Sequence, residues 1–163
     1  MSFQQDLNRD LPRGVAGDFA STNPRQNMLA GEAALVAAET ITVGQFAFAD
    51  ITTGKVYAER DDGLRLGFVH RNNQAIVPLG SAASMVIPTG REVALFTSGD
   101  FYAIAPATVT PGSPVGVADD GKLAVAVLPD PDAEPPVAGN LSGFVYAEAG
   151  DSGDLVKITR FAI

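Results

Sequence analysis

The sequence predicts an all-β fold, a jelly-roll-like sandwich or barrel with an extended N-terminal arm, from three observations. From Thr40 to the C-terminus, short runs alternate apolar and polar residues with the period of 2 that a pleated strand shows. Ten or so such runs recur at roughly 8–12 residue spacing, divided by Gly, Pro and Asp clusters, which is the spacing of sandwiches and barrels. Before Thr40, the stretch LPRGVAGDFASTNPRQNMLAG (residues 11–31) shows neither the strand nor the helix period.

The first ten residues are polar and read as a frayed end. In the arm that follows, Pro12 and Pro24 lack a backbone donor and restrict the residues before them, while Gly14, Gly17 and Gly31 loosen the chain. Such a segment stays disordered alone or is ordered by lying on another surface. Arg9, Arg13 and Arg25 balance Asp6, Asp10 and Asp18, so the arm is neutral and the negative charge falls on the strand-rich remainder. The Ala- and Leu-rich stretch Met28–Glu39 has helical propensity, interrupted by Gly31 and followed at once by β-branched residues.

Strands are expected at 41–49, 55–59, 64–71, 74–79, 84–88, 92–98, 101–105, 113–118, 123–128, 142–149 and 153–163. In ITVGQFAFA (41–49), Val43, Gln45 and Ala47 alternate with Phe46 and Phe48, the pattern of a half-buried strand. Turns fall at Asp50–Gly54, at Arg60–Gly63, where Asp-Gly is a hairpin signal, at Thr89-Gly90, at Gly99-Asp100, at Asp119–Gly121 and at Gly150–Ser152. The segment LPDPDAEPPVAGN (128–140) carries four prolines and three acids, which suits a stiff exposed loop rather than a linker. The closing Phe161-Ala162-Ile163 is too apolar to fray and is placed in a sheet. These readings divide the chain into an arm, 1–33, and a single β domain, 34–163.

Apolar residues make up 46 % of the chain and charged residues 18 %, an under-charged surface that suits extensive contact with another surface. The formal charge of −8 argues against nucleic acid or an anionic membrane as partner, since both require clustered Lys and Arg. There is no cysteine for disulfides or thiolate metal sites. No apolar run approaches the ~18 residues of a membrane helix and the start lacks a signal-peptide pattern, so a soluble product made in a cytoplasm is expected.

Signals for chemistry are weak. His70 is the only histidine, and no G-x-S-x-G elbow, phosphate loop or calcium loop is present. The acids sit mainly in turns, at 61, 62, 119, 120, 151 and 154, where Asp bonds the local backbone. Asp130, Asp132 and Glu134 do not complete a calcium shell. No cofactor or metal is expected, and Asn140-Leu141-Ser142 matches a glycosylation sequon that is silent without secretion.

The opening SFQQ, the arm LPRGVAGDFASTNPR, the small-residue stretch LAGEAALVA, the strand GFVHR followed by QA, and the closing FVYAEAG and VKITRF together resemble the structural cement proteins of tailed bacteriophages. The resemblance implies a β-rich, non-enzymatic protein on the outer surface of the icosahedral head, bound to the major capsid protein across capsomer joins. It implies a homotrimer or dimer, and an arm that crosses to a neighbour or to the shell. By position, Arg13, Phe19, Asn23 and Arg25 are the contact residues it implies. The alternative is a phage tail or baseplate β-domain with a glycan-binding role, which an exposed aromatic cluster would mark. A β-barrel enzyme, third, requires His70 in a pocket beside a carboxylate.

Overall fold

The computed structural model describes residues 13–31, 34–72, 85–130 and 139–161. The expected strand at 74–79, most of the Pro-rich loop, the polar first ten residues and the last two residues lie outside the described residues. The described residues form no helix. The strands are β1 (Gln26–Asn27), β2 (Val36–Ala37), β3 (Ile41–Thr42), β4 (Phe46–Asp50), β5 (Lys55–Tyr57), β6 (Arg65–Val69), β7 (Val86–Ile87), β8 (Leu95–Ser98), β9 (Asp100–Ile104), β10 (Pro114–Val117), β11 (Leu123–Val125), β12 (Leu141–Tyr146) and β13 (Leu155–Thr159). They assemble into a six-stranded sheet, β1-β8-β6-β4-β5-β2, a five-stranded sheet, β11-β10-β12-β13-β9, and a two-stranded ladder, β3-β7. The larger sheets curl into a half-barrel.

Two apolar clusters hold these layers together. Between the large sheets lie Phe46, Phe48, Phe68 and Phe96 from one side and Phe101, Val115, Phe144, Tyr146, Val156 and Ile158 from the other. The rings meet in tilted and edge-on pairs, Phe68 on Phe101 at 4.8 Å and Phe46 on Phe144 at 5.7 Å between centroids, the arrangements that aromatic quadrupoles favour. The second cluster covers the opposite face of the six-stranded sheet. Leu35, Ile41, Val43, Ile87 and Val93 pack there on Ala47, Ala49, Val56, Val69 and Leu95.

This second cluster corrects the half-buried reading of the segment around β4. Phe46, Ala47, Phe48 and Ala49 are all buried, with phenylalanines on the inter-sheet face and alanines beneath the short ladder. Alternation of large and small apolar residues thus marks two buried faces of unequal depth. The Met28–Glu39 propensity is overridden by pairing, as Val36 N–H donates to Gly54 O at 2.8 Å and Ala37 N–H to Arg91 O at 2.8 Å. A ladder anchored on a core outweighs the few tenths of a kcal/mol per residue that separate ordinary helix formers.

Two expected turns serve other purposes. Asp62-Gly63 does not close a hairpin: β5 and β6 lie on opposite sides of β4, so residues 58–64 carry the chain past it. At Gly99 the chain does not reverse; it leaves the six-stranded sheet in β8 and enters the five-stranded sheet in β9. Gly99 has φ +139°, and a Cβ there would stand 2.9 Å from Cζ of Phe101, so glycine suits this corner. The Asp119–Gly121 hairpin forms as expected, joining β10 to β11. Its Gly121 O accepts from Phe46 N–H at 2.8 Å, tying this hairpin to the start of β4 in the other sheet.

Candidate functional site

The arm is laid along the rim of this sandwich. Its backbone extends the five-stranded sheet past β9: Gly17 N–H donates to Tyr102 O at 2.8 Å, Tyr102 N–H to Asp18 O at 3.0 Å and Ala20 N–H to Asp100 O at 2.9 Å. Further on, β1 pairs antiparallel with β8 at the edge of the six-stranded sheet. One arm therefore caps an edge of each sheet, and edges left open are sites of unwanted pairing. The Gly99 corner lies between the two capped edges.

Each residue singled out in the arm has a defined place. Phe19 is half-buried, its ring stacked on His70 at 3.9 Å and set edge-on to Phe96 at 5.3 Å. The Arg25 guanidinium covers it, 3.8 Å from its centroid, a cation–π contact. Asn23 is exposed and its Nδ2 donates to Oδ2 of Asp100 at 2.6 Å. Arg13, also exposed, donates from Nη1 to Leu155 O at 3.0 Å and pairs with Glu148 at 3.5 Å. Phe19, Asn23 and Arg25 thus converge on the Gly99 corner, whereas Arg13 stands apart on the β12–β13 hairpin.

Sequence reasoning missed the residues that receive the arm. Asp100 takes Ser21 and Asn23 on one carboxylate oxygen and Thr159 on the other, at 2.5, 2.6 and 2.5 Å. It reads in sequence as one more turn aspartate; its position between two strongly apolar runs was the available signal. His70 is the other receiver. Its Nδ1 lies 2.7 Å from Gly17 O, so Nδ1 carries the hydrogen, since a carbonyl only accepts. Burial holds the His70 pKa below the usual histidine value, against the opposing effect of the Gly17 bond and Asp18. Stacked on Phe19 between sheet and arm, His70 fastens the arm's backbone through Gly17 O.

Two further features bear on chemistry. Glu39, Asp50, Glu59, Asp61 and Asp62 surround an open cavity of about 540 Å3. Among the described residues no group of three His, Cys, Asp or Glu could hold a metal ion. The exposed large hydrophobic side chains among the described residues are all aliphatic or methionine, so no aromatic platform of the kind that stacks on sugar rings is on view.

The chain is thus a β sandwich in which one arm fastens an edge of each large sheet. The family is that of the XM1 gp53 minor capsid protein, whose model matches residues 3–160, and the chain belongs to it. Among solved structures it is similar to a chain of the capsid of Myoviridae phage XM1, at 16 % identity and TM-score 0.55 over 98 % of each chain. It also matches the head fiber gp8.5 N base of bacteriophage phi29, at 14 % identity and TM-score 0.42 over 83 % of this chain and 93 % of that one. No curated protein matches the chain. The protein is a capsid structural component of the virion.

Proposed function

We propose that the protein is a cement, or decoration, protein: it binds the outer surface of the head across joins between capsomers, contacts the major capsid protein, and stabilises the expanded shell without catalysis. Family membership supports the capsid setting. The observation that carries the finer reading is the arm, whose residues 21–27 are all exposed although the segment is fastened at both ends to the sandwich. A pre-ordered polar ribbon can lie on a protein surface with little further loss of chain entropy. Arg13, Asn23 and Arg25 make the contacts, and Phe19 contributes by fixing where the ribbon lies. Copies associate with one another, as a homotrimer, on the shell.

The mechanism is mass action. A protein that binds the expanded shell and not its dissociated subunits stabilises the shell by RT ln(1 + [L]/Kd), about 2.7 kcal/mol at a hundredfold excess over Kd. Linking several contacts in one oligomer multiplies the effect through effective concentration. The test is co-sedimentation of the purified full chain with expanded capsids that lack it. Saturable binding and a higher capsid melting temperature are expected; no binding would reject the cement role.

A further inference from the structure

Beside the exposed ribbon runs a groove of about 730 Å3 that is lined from both large sheets. Gln26, Arg65 and Ser98 border it from the six-stranded sheet, and Leu141 and Arg160 from the side of the five-stranded sheet. None of the described residues lining it is acidic, although the chain has 19 Asp and Glu against 11 Lys and Arg. Gln26 belongs both to the groove and to the exposed residues 21–27, so ribbon and groove form one continuous face.

The two arginines of the groove have charge to spare. Elsewhere Arg13, Arg60, Arg71 and Lys122 each pair with a carboxylate of the chain itself. The exposed Arg65 guanidinium has no ion pair among the described residues. Arg160 also lacks a carboxylate there, yet it is held in place. Its Nη1 donates to Thr97 O at 2.5 Å, and its guanidinium lies against Gly143, where a Cβ would stand 3.4 Å from Cζ. A planar guanidinium already fixed by one bond loses little further freedom when its remaining donors meet a carboxylate. Apolar side chains stand beside these cations, Ile51 at 39 % and Leu141 at 41 % exposure.

Charge and composition point to one kind of occupant. Arginine and methionine without Asp, Glu or Lys is the composition that marks the centre of a protein–protein contact. Cations gathered apart from the chain's own acids attract an acidic partner and fix its register. A free inorganic anion would have nothing to set against Ile51 and Leu141, whereas a peptide segment has side chains for both. We propose that this groove receives an acidic, partly apolar segment of the capsid protein, whose carboxylate pairs with Arg65 and Arg160 and whose apolar side chain lies on Ile51 and Leu141. The inference deepens the cement reading above and rests on it for the source of the segment.

The full chain, Arg65→Gln, Arg160→Gln, the double variant and Arg91→Gln, an exposed arginine outside the groove, are co-sedimented with expanded capsids that lack the protein. Thermal melts check that each variant folds. Each groove substitution is expected to weaken shell binding about tenfold, the double variant about 100-fold, and Arg91→Gln not at all. A second readout needs no capsid: an acetylated and amidated peptide of alternating glutamate and leucine is titrated into the full chain, with its glutamine counterpart as control. The glutamate peptide alone is expected to shift the NMR signals of the Arg65 and Arg160 Nε–H groups. Shells bound equally by the wild type and the folded double variant would overturn the groove and leave the cement role standing. A double variant that loses self-association while still binding shells would make a second copy the occupant, and would also overturn it. A wild type that binds no shells rejects the cement role and, with it, the capsid as source of the segment. In that case Arg65 and Arg160 shifts with the glutamate peptide still support an acidic-segment groove, and their absence overturns that as well.

Discussion

Replacing Phe19 with alanine isolates what holds the arm. In a closed core such a truncation costs about 3–5 kcal/mol; Phe19 is half-buried, so about half of that applies. Its stack on His70 and edge contact with Phe96 are part of the same loss, and the exposed Arg25 contact adds about 0.5–1 kcal/mol. The sum, about 2–3 kcal/mol, weighs on local opening of residues 13–23 rather than on the whole sandwich, whose two clusters stay intact. Each 1.4 kcal/mol is a factor of ten, so opening should become about 30- to 150-fold more frequent. Hydrogen exchange reads this at the amides of Gly17, Ala20, Arg71 and Tyr102, each bonded across the arm junction. Faster exchange there, with β12 and β13 unchanged, is the expected result. Unchanged protection at Gly17 and Tyr102, or an equal loss throughout the sandwich, would refute the reasoning.

Other consequences follow from the same contacts. Because burial lowers the His70 pKa in the folded chain, the unfolded chain binds more protons between that value and about 6.5; stability is full above pH 6.5 and falls as the solution is acidified through the window. An NMR titration placing the His70 pKa above 6.5 would contradict this. Asp100→Ala leaves Thr159, which is buried, without its acceptor and frees Ser21 and Asn23, so it should cost about 1–3 kcal/mol in denaturant unfolding. Gly121→Val places a side chain against Phe46 O at φ +76°; a loss of about 3 kcal/mol, or roughly 6–12 °C in Tm for a chain of this size, is expected from calorimetry.

What the sequence made legible was local. Hairpins such as Asp119–Gly121 and the strand content were readable because period 2 and Asp-Gly turns are short-range signals. The joining of the sheets was not. Gly99-Asp100 looks like any turn, and only pairing reveals that β8 and β9 belong to different sheets. Alternating Phe and Ala in β4 signalled one buried face because the cover over the other face, β3 and β7, comes from segments far apart in sequence. The arm was recognisable by its lack of periodicity, yet its receivers, His70 and Asp100, were invisible as a pair because tertiary structure alone brings them to one corner.

The central claim is tested most directly by a cryo-electron microscopy map of the virion in which this protein is present, compared with one from particles lacking it. The account predicts additional density on the outside of the head, over the joins between capsomers, into which the two-sheet sandwich fits with residues 21–27 against the shell. Additional density confined to the tail, to the inner face of the head or to the centres of capsomers would contradict it.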